Sequence, residues 1–302
     1  MSTTSLIVTI ERPSVAAQLA AVAELCKPRI AVLVLVAVAV AYCVASWGQP
    51  QPFELLHVLI ATTLIASSAS ALNQCLERKL DLLMPRTADR PLPAGRLTPR
   101  AAWAFGGATF VAGLGYFLCV VGLASTAWAL ATWVLYVWVY TPAKTRTPTN
   151  TAIGAVAGAL PVMIGWSAAQ GAYDVRAGAL FLLLFLWQFP HFMAIAWLYR
   201  EQYARAGMKM LPVVEPTGAR AGVQAVWAAL ALIPVSVVPA LFSPSSGAAA
   251  YAVLSLLLGL GQLVCAVEFC ATRSERSARN LLRASLVYLP TVLLLLVMVP
   301  WI

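Results

Sequence analysis

A chain of 302 residues that is 61% hydrophobic and only 10% charged, with a mean hydropathy of +0.84, falls outside the soluble globular class, where charged residues make up about 25%. The net charge of +9 would suit a nucleic-acid binder. Membrane chains, however, collect Lys and Arg in their cytoplasmic loops for topological reasons, so no nucleic acid is expected as a partner.

Residues 1–24 read as a cytoplasmic N-terminal segment. They contain Glu11 and Arg12 and lack an apolar run followed by a small-residue cleavage site, so neither a signal peptide nor a transit peptide is expected. Residues 25–302 read as one transmembrane domain. Apolar runs near the ~20 residues needed to cross a bilayer predict about nine spans, at 29–47, 54–76, 100–118, 121–141, 150–170, 177–198, 221–242, 248–270 and 282–301. Turn signals separate them at Gly48-Gln49-Pro50, Pro91 to Gly95, Thr147-Pro148, Gly171, Ser243-Pro244 and a charged run at 273–283. Pro190 is expected to kink the sixth span.

Charge placement fixes the expected orientation. With the N-terminus cytoplasmic, the loops after spans 2, 4, 6 and 8 share its side, and of the 20 Lys and Arg only Arg176 falls opposite. That is the positive-inside pattern. The C-terminus then lies outside, with Trp301 at the interface. The long loops, about 77–99 and 199–220, are both cytoplasmic, so polar chemistry belongs at that face. Few charges lie within spans, Glu268 being the most notable, which disfavours a transport path. The six cysteines show no CxxC spacing and read as small core hydrophobes.

Three polar clusters carry the chemistry. Asn73, Glu77 and Asp81 recur every four residues, so on a helix they drift only ~80° around the axis over ~12 Å. Arg86, Arg90 and Arg96 follow in the loop. Oxygen ligands beside guanidinium groups suit a divalent cation and a phosphorylated ligand; a solvated helix end is the other reading. The second cluster, Tyr140-Thr141-Pro142-Ala143-Lys144-Thr145-Arg146-Thr147, offers cations and hydroxyls to a diphosphate, or simply obeys the charge rule. The third surrounds His191 in Trp187-Gln188-Phe189-Pro190-His191-Phe192 and continues through Glu201-Gln202-Tyr203. A lone His in an apolar span is either a ligand or a hydrogen-bonded core residue.

These passages, with Lys27-Pro28-Arg29-Ile30, the loop Arg86 to Gly95, the run Ile153 to Trp166 and Met210-Leu211-Pro212-Val213-Val214, together resemble the heme O synthase (protoheme IX farnesyltransferase) family of UbiA-type intramembrane aromatic prenyltransferases. The resemblance implies an all-α integral membrane fold around a central cavity open to lipid. It implies Mg²⁺, farnesyl diphosphate and heme b as partners in the bacterial inner membrane, and a downstream heme A synthase or terminal oxidase assembly as recipient. It places the metal and catalytic set on Asn73, Glu77 and Asp81, diphosphate-binding bases on Arg78, Arg90, Lys144 and Arg146, and a heme-binding role on His191. Similar enzymes carry an acid immediately before Tyr203, where this chain has Gln202. Either Glu201, ~100° around the helix, replaces it, or the second metal contact is weaker. The competing readings are a sister prenyltransferase of quinone synthesis and a non-catalytic membrane heme carrier.

Overall fold

The computed structural model describes residues 14–46, 49–169, 171–242 and 247–299. Every regular element among them is helical. In chain order these are α1 (Val15–Leu25), α2 (Pro28–Ala45), α3 (Pro52–Asp81), α4 (Pro99–Val121), α5 (Leu123–Arg146), α6 (Asn150–Ala168), α7 (Val175–Leu198), α8 (Arg200–Arg205), α9 (Leu211–Val214), α10 (Ala219–Leu241), α11 (Gly247–Thr272) and α12 (Glu275–Met298). Among the described residues nine, α2–α7 and α10–α12, are long and apolar enough to cross a membrane. Their order and positions match the expected spans. The turns expected at Gly48 and at Ser243-Pro244, and Trp301, lie outside the described residues.

Local chemistry sets the ends. Pro28, Pro52 and Pro99 occupy the first helical turn of α2, α3 and α4, where a missing N–H costs nothing. The Asp174 carboxylate accepts from the Arg176 and Ala177 N–H groups to start α7. The charged run at 273–283 was expected to separate spans, but only Arg273 and Ser274 do so. Ser274 and Ser277 form a capping box that starts α12 at Glu275. The N-terminal segment contains α1, whose Ala21 and Leu25 are buried against α3. Pro190 does not end α7, which runs on through it.

The cysteines are half-buried, with Cys119 exposed, so they lie at the rim of the packing and not in its centre. Glu268 is exposed on α11. Large apolar side chains such as Trp227, Leu257, Val264 and Leu294 are exposed on α10–α12, a surface suited to lipid.

Two apolar cores share α2 and α6. One joins them to α7 and α10–α12 around Trp166, Tyr251 and Tyr288; the other joins them to α3, α4 and α5 around Tyr42, Phe117 and Trp133. The α2–α6 seam depends on Gly165, because a Cβ there would meet the Val38 carbonyl of α2 head-on. Between the two cores a cavity remains, walled by α2, α3, α5, α6 and α7. It opens toward the end of the bundle that carries the basic residues. Lys27 meets Asn73 there, Lys144 meets Glu77, and the Lys209 N–H donates to the Lys144 carbonyl at 2.7 Å.

Candidate active site

The fourfold spacing on α3 places Asn73, Glu77 and Asp81 on one buried face, all three less than 5% exposed. An apolar bundle cannot leave such groups unanswered, and each has a cation. The Lys27 ammonium donates to Asn73 Oδ1 at 2.5 Å. Lys144 donates to Glu77 Oε1 at 2.6 Å, and Arg90 Nη1 reaches both Asp81 oxygens at 2.9 Å. Asn73 Nδ2 donates to Thr141 Oγ1 at 2.9 Å, which fixes the amide's orientation.

Several elements deliver these cations. Lys27 caps α2 in the left-handed region, at φ 50°, a conformation costing about 1–2 kcal/mol for a residue with a Cβ. Burial first, then the neighbouring Arg90, push its ammonium down to about 7, while Glu77 pulls the other way. The loop after α3 folds back over the helix end, with Thr87 Oγ1 donating to the Asp81 carbonyl at 2.9 Å and bringing Arg90 with it. Lys144 follows a π-helical stretch, Leu135–Tyr140, that widens α5 and turns Tyr136 and Tyr140 into the cavity. Its ammonium also lies 4.7 Å from the Tyr140 ring centre.

Arg86 is the fourth cation on the cavity wall. Its guanidinium packs on Tyr199 and Tyr203, 4.5 and 5.2 Å from the ring centres, and donates to the Tyr203 hydroxyl at 2.8 Å. It thereby ties the two long loops together.

Behind this mouth the cavity has a volume of about 440 Å³, within the ~300–1,000 Å³ range of small-molecule sites. Its walls are mainly apolar and aromatic, including Val34, Ala66, Ala69, Trp133, Tyr136, Ile164 and Phe192.

The structure thus brings together Asn73, Glu77, Asp81, Arg90 and Lys144. It adds Lys27, to which the sequence reading gave no role, and of the other loop arginines it brings Arg86 to the cavity wall, while Arg96 pairs with Glu24 instead. Arg78 and Arg146 are not on the cavity wall, and Arg146 is exposed. His191 sits beside the cavity-facing side of α7 and turns toward α12. Its Nδ1 lies 2.9 Å from Ser285 Oγ, and Trp187 stacks on the ring at 4.7 Å. Trp187 Nε1 donates to the Ser285 carbonyl at 2.7 Å, locking the pair. The Glu201 side chain is 76% exposed and faces Arg205, away from the cavity, whereas Gln202 keeps a buried Oε1 without a partner.

The donor set tests the fit of a metal. Among the described residues no three His, Cys, Asp or Glu side chains converge; the set is two carboxylates and an amide. Such a set is too small for a dedicated protein cage. It suits Mg²⁺, which takes one or two carboxylates and completes its shell with water and substrate phosphates.

A sequence profile of the UbiA prenyltransferase family matches residues 33–298. The protoheme IX farnesyltransferase of Solibacter usitatus is 45% identical over 281 residues, covering 89% of this chain and 94% of that one. Two solved structures share the fold. A digeranylgeranylglyceryl phosphate synthase superposes with a TM-score of 0.78 at 15% identity, over 94% of this chain and 98% of that one. A UbiA homologue from Archaeoglobus fulgidus, solved with GPP and Mg²⁺, superposes at 0.64 and 14% identity, over 91% and 99%.

Proposed function

The chain belongs to the UbiA prenyltransferase family, and on that premise we propose that it transfers the farnesyl group of farnesyl diphosphate to a vinyl group of heme b, giving heme O and diphosphate. The observation that carries this reading is the paired cluster. Asn73, Glu77 and Asp81 are each held by a cation within 2.9 Å at the mouth of an apolar cavity. Each cation is then available to a phosphate oxygen once its partner takes up a metal.

Asn73, Glu77 and Asp81 would hold Mg²⁺, which when bound neutralises charge on the departing diphosphate. Lys27, Arg86, Arg90 and Lys144 bind and orient that diphosphate through charge-assisted hydrogen bonds. The C1–O bond of the farnesyl group breaks and the diphosphate leaves with the electron pair. Tyr136, Tyr140 and Phe192 line the cavity and can stabilise the allylic cation through their rings, and the apolar wall keeps water from quenching it. The vinyl π electrons form the new carbon–carbon bond to C1. Water then adds to the cation left on the porphyrin side and releases a proton.

The heme-binding role stays with His191 on the family resemblance: its ring lies beside the cavity-facing side of α7, with Nδ1 held at Ser285 of α12. The charge asymmetry supports a cytoplasmic N-terminus and mouth; the heme reading further implies a bacterial inner membrane and a heme A synthase or terminal oxidase assembly as recipient of the product.

Purified protein with farnesyl diphosphate, Mg²⁺ and heme b tests the reading. Heme-dependent pyrophosphate release with a heavier heme product supports it; heme binding without release overturns it in favour of a carrier. Loss of the heme Soret shift in His191→Ala, with farnesyl diphosphate binding retained, supports the assignment of His191.

A further inference from the structure

We propose that the far end of the cavity, closed by Ile65 and Thr62 of α3, Trp133 of α5 and Ile164 of α6, measures the prenyl chain and selects fifteen carbons. This deepens the transferase reading and rests on it. The measure is α3 itself, which lines the cavity from Asp81 down to Thr62. From Asn73, the metal-side group deepest in the bundle, Ile65 and Thr62 lie eight and eleven residues on, or ~12 and ~16 Å at 1.5 Å per residue.

An extended chain advances ~1.2 Å per bond, as a polypeptide does at ~3.6 Å per three bonds. The eleven bonds along a farnesyl main chain therefore span roughly 13 Å, the seven of geranyl roughly 8 Å and the fifteen of geranylgeranyl roughly 18 Å. Farnesyl ends against Ile65 and Thr62. Geranyl stops about one isoprene short. Geranylgeranyl must push into Ala61 and Val58, which are buried in the core beneath.

The wall is also stiff. Trp133 Nε1 donates to Ser68 Oγ at 3.0 Å, and Ser68 in turn donates to the Gly106 carbonyl at 2.7 Å. The Phe110 ring packs 4.1 Å from Trp133. Ile164 is anchored by the adjoining Gly165, pressed on the Val38 carbonyl, so it cannot retreat. Above this wall the tunnel is walled by small side chains, Ala66, Ala69, Ala157 and Gly158, which leave room for a chain without gripping its length.

The test is competition among geranyl, farnesyl and geranylgeranyl diphosphates in the presence of Mg²⁺ and heme b, with products resolved by mass. Wild type should prefer farnesyl to either neighbour by at least ~10-fold. Trp133→Ala and Ile164→Ala should each raise the ratio of twenty- to fifteen-carbon product ~10-fold or more. Ala66→Leu, which narrows the tunnel one residue above Ile65 and one turn above Thr62, should shift preference toward ten carbons. Ratios unchanged in the variants that still turn over farnesyl diphosphate, or wild-type use of twenty carbons as readily as fifteen, would overturn the ruler. Absence of pyrophosphate release by wild type from all three substrates would instead remove the transferase reading itself.

Discussion

Glu77→Gln isolates the exchange of partners on which the active site depends. In the ligand-free cluster Lys144 is held at 2.6 Å by Glu77, with the two side chains 15% and 5% exposed. Removing one partner of a buried pair leaves the other charge uncompensated, at a cost of about 3–5 kcal/mol. The Tyr140 ring, 4.7 Å from the Lys144 ammonium, is there in both forms and offsets none of this, so a net loss of about 3–5 kcal/mol is expected. The same change frees Lys144 for phosphate. In Mg²⁺-free buffer the variant should therefore bind pyrophosphate at least ~10-fold tighter than wild type, since a gain of ~1.4 kcal/mol suffices. With Mg²⁺ present the order reverses, because the variant has lost a metal ligand, and farnesyl transfer should fall by ~10²–10³. Thermal unfolding and pyrophosphate calorimetry, each with and without Mg²⁺, read both effects. Pyrophosphate affinity unchanged or weaker in Mg²⁺-free buffer would refute the exchange.

Four other variants probe individual contacts. Arg86→Ala removes a cavity-wall cation held by two tyrosines and no carboxylate, so KM for farnesyl diphosphate should rise ~10–100-fold; Tyr203→Phe, losing one hydrogen bond, should cost nearer ~1 kcal/mol. Thr62 Oγ1 is buried without a partner, so Thr62→Val should raise thermal stability by about 1 kcal/mol, and a lower melting temperature would contradict that. Gly165→Ala drives a methyl into the Val38 carbonyl and should destabilise by at least ~1–3 kcal/mol in a denaturation series.

What the sequence made legible was local. Apolar runs located the nine long apolar helices found among the described residues, and a four-residue spacing put Asn73, Glu77 and Asp81 on one face, because helix periodicity relates neighbours through the backbone alone. The extent of the last span was hidden by its composition. Arg276, Arg279 and Arg283 look like a loop until the Ser274–Ser277 cap makes them a helix entrance. Partner choice was not legible. Lys27 lies 46 residues from Asn73 and Arg86 lies 117 from Tyr203, and no periodicity links such distances. Arg78 and Arg146 had the right charge beside the right motifs, yet Arg78 is one residue from Glu77 and Arg146 two from Lys144, offsets that turn a helical side chain ~100° and ~200°. The π-helical stretch before Thr141 had only Pro142 as a signal, a residue unable to bond the preceding turn.

The pairing of cations with the three residues proposed to hold the metal answers a problem of burial as much as of catalysis. A site that must receive a metal and a diphosphate needs both signs of charge, and an apolar bundle penalises either sign alone. Holding Lys27 on Asn73, Lys144 on Glu77 and Arg90 on Asp81 lets the ligand-free protein satisfy every group with the others. The consequence is energetic coupling. Metal alone must displace three cations into a cavity that has no anion for them, and diphosphate alone must strip them from two carboxylates. Only the two together satisfy every charge at once, so each ligand should tighten the other by the same factor. On the proposed binding mode the loop carrying Arg86 and Arg90 becomes part of the binding event, because both cations line the cavity wall and would close on the diphosphate together.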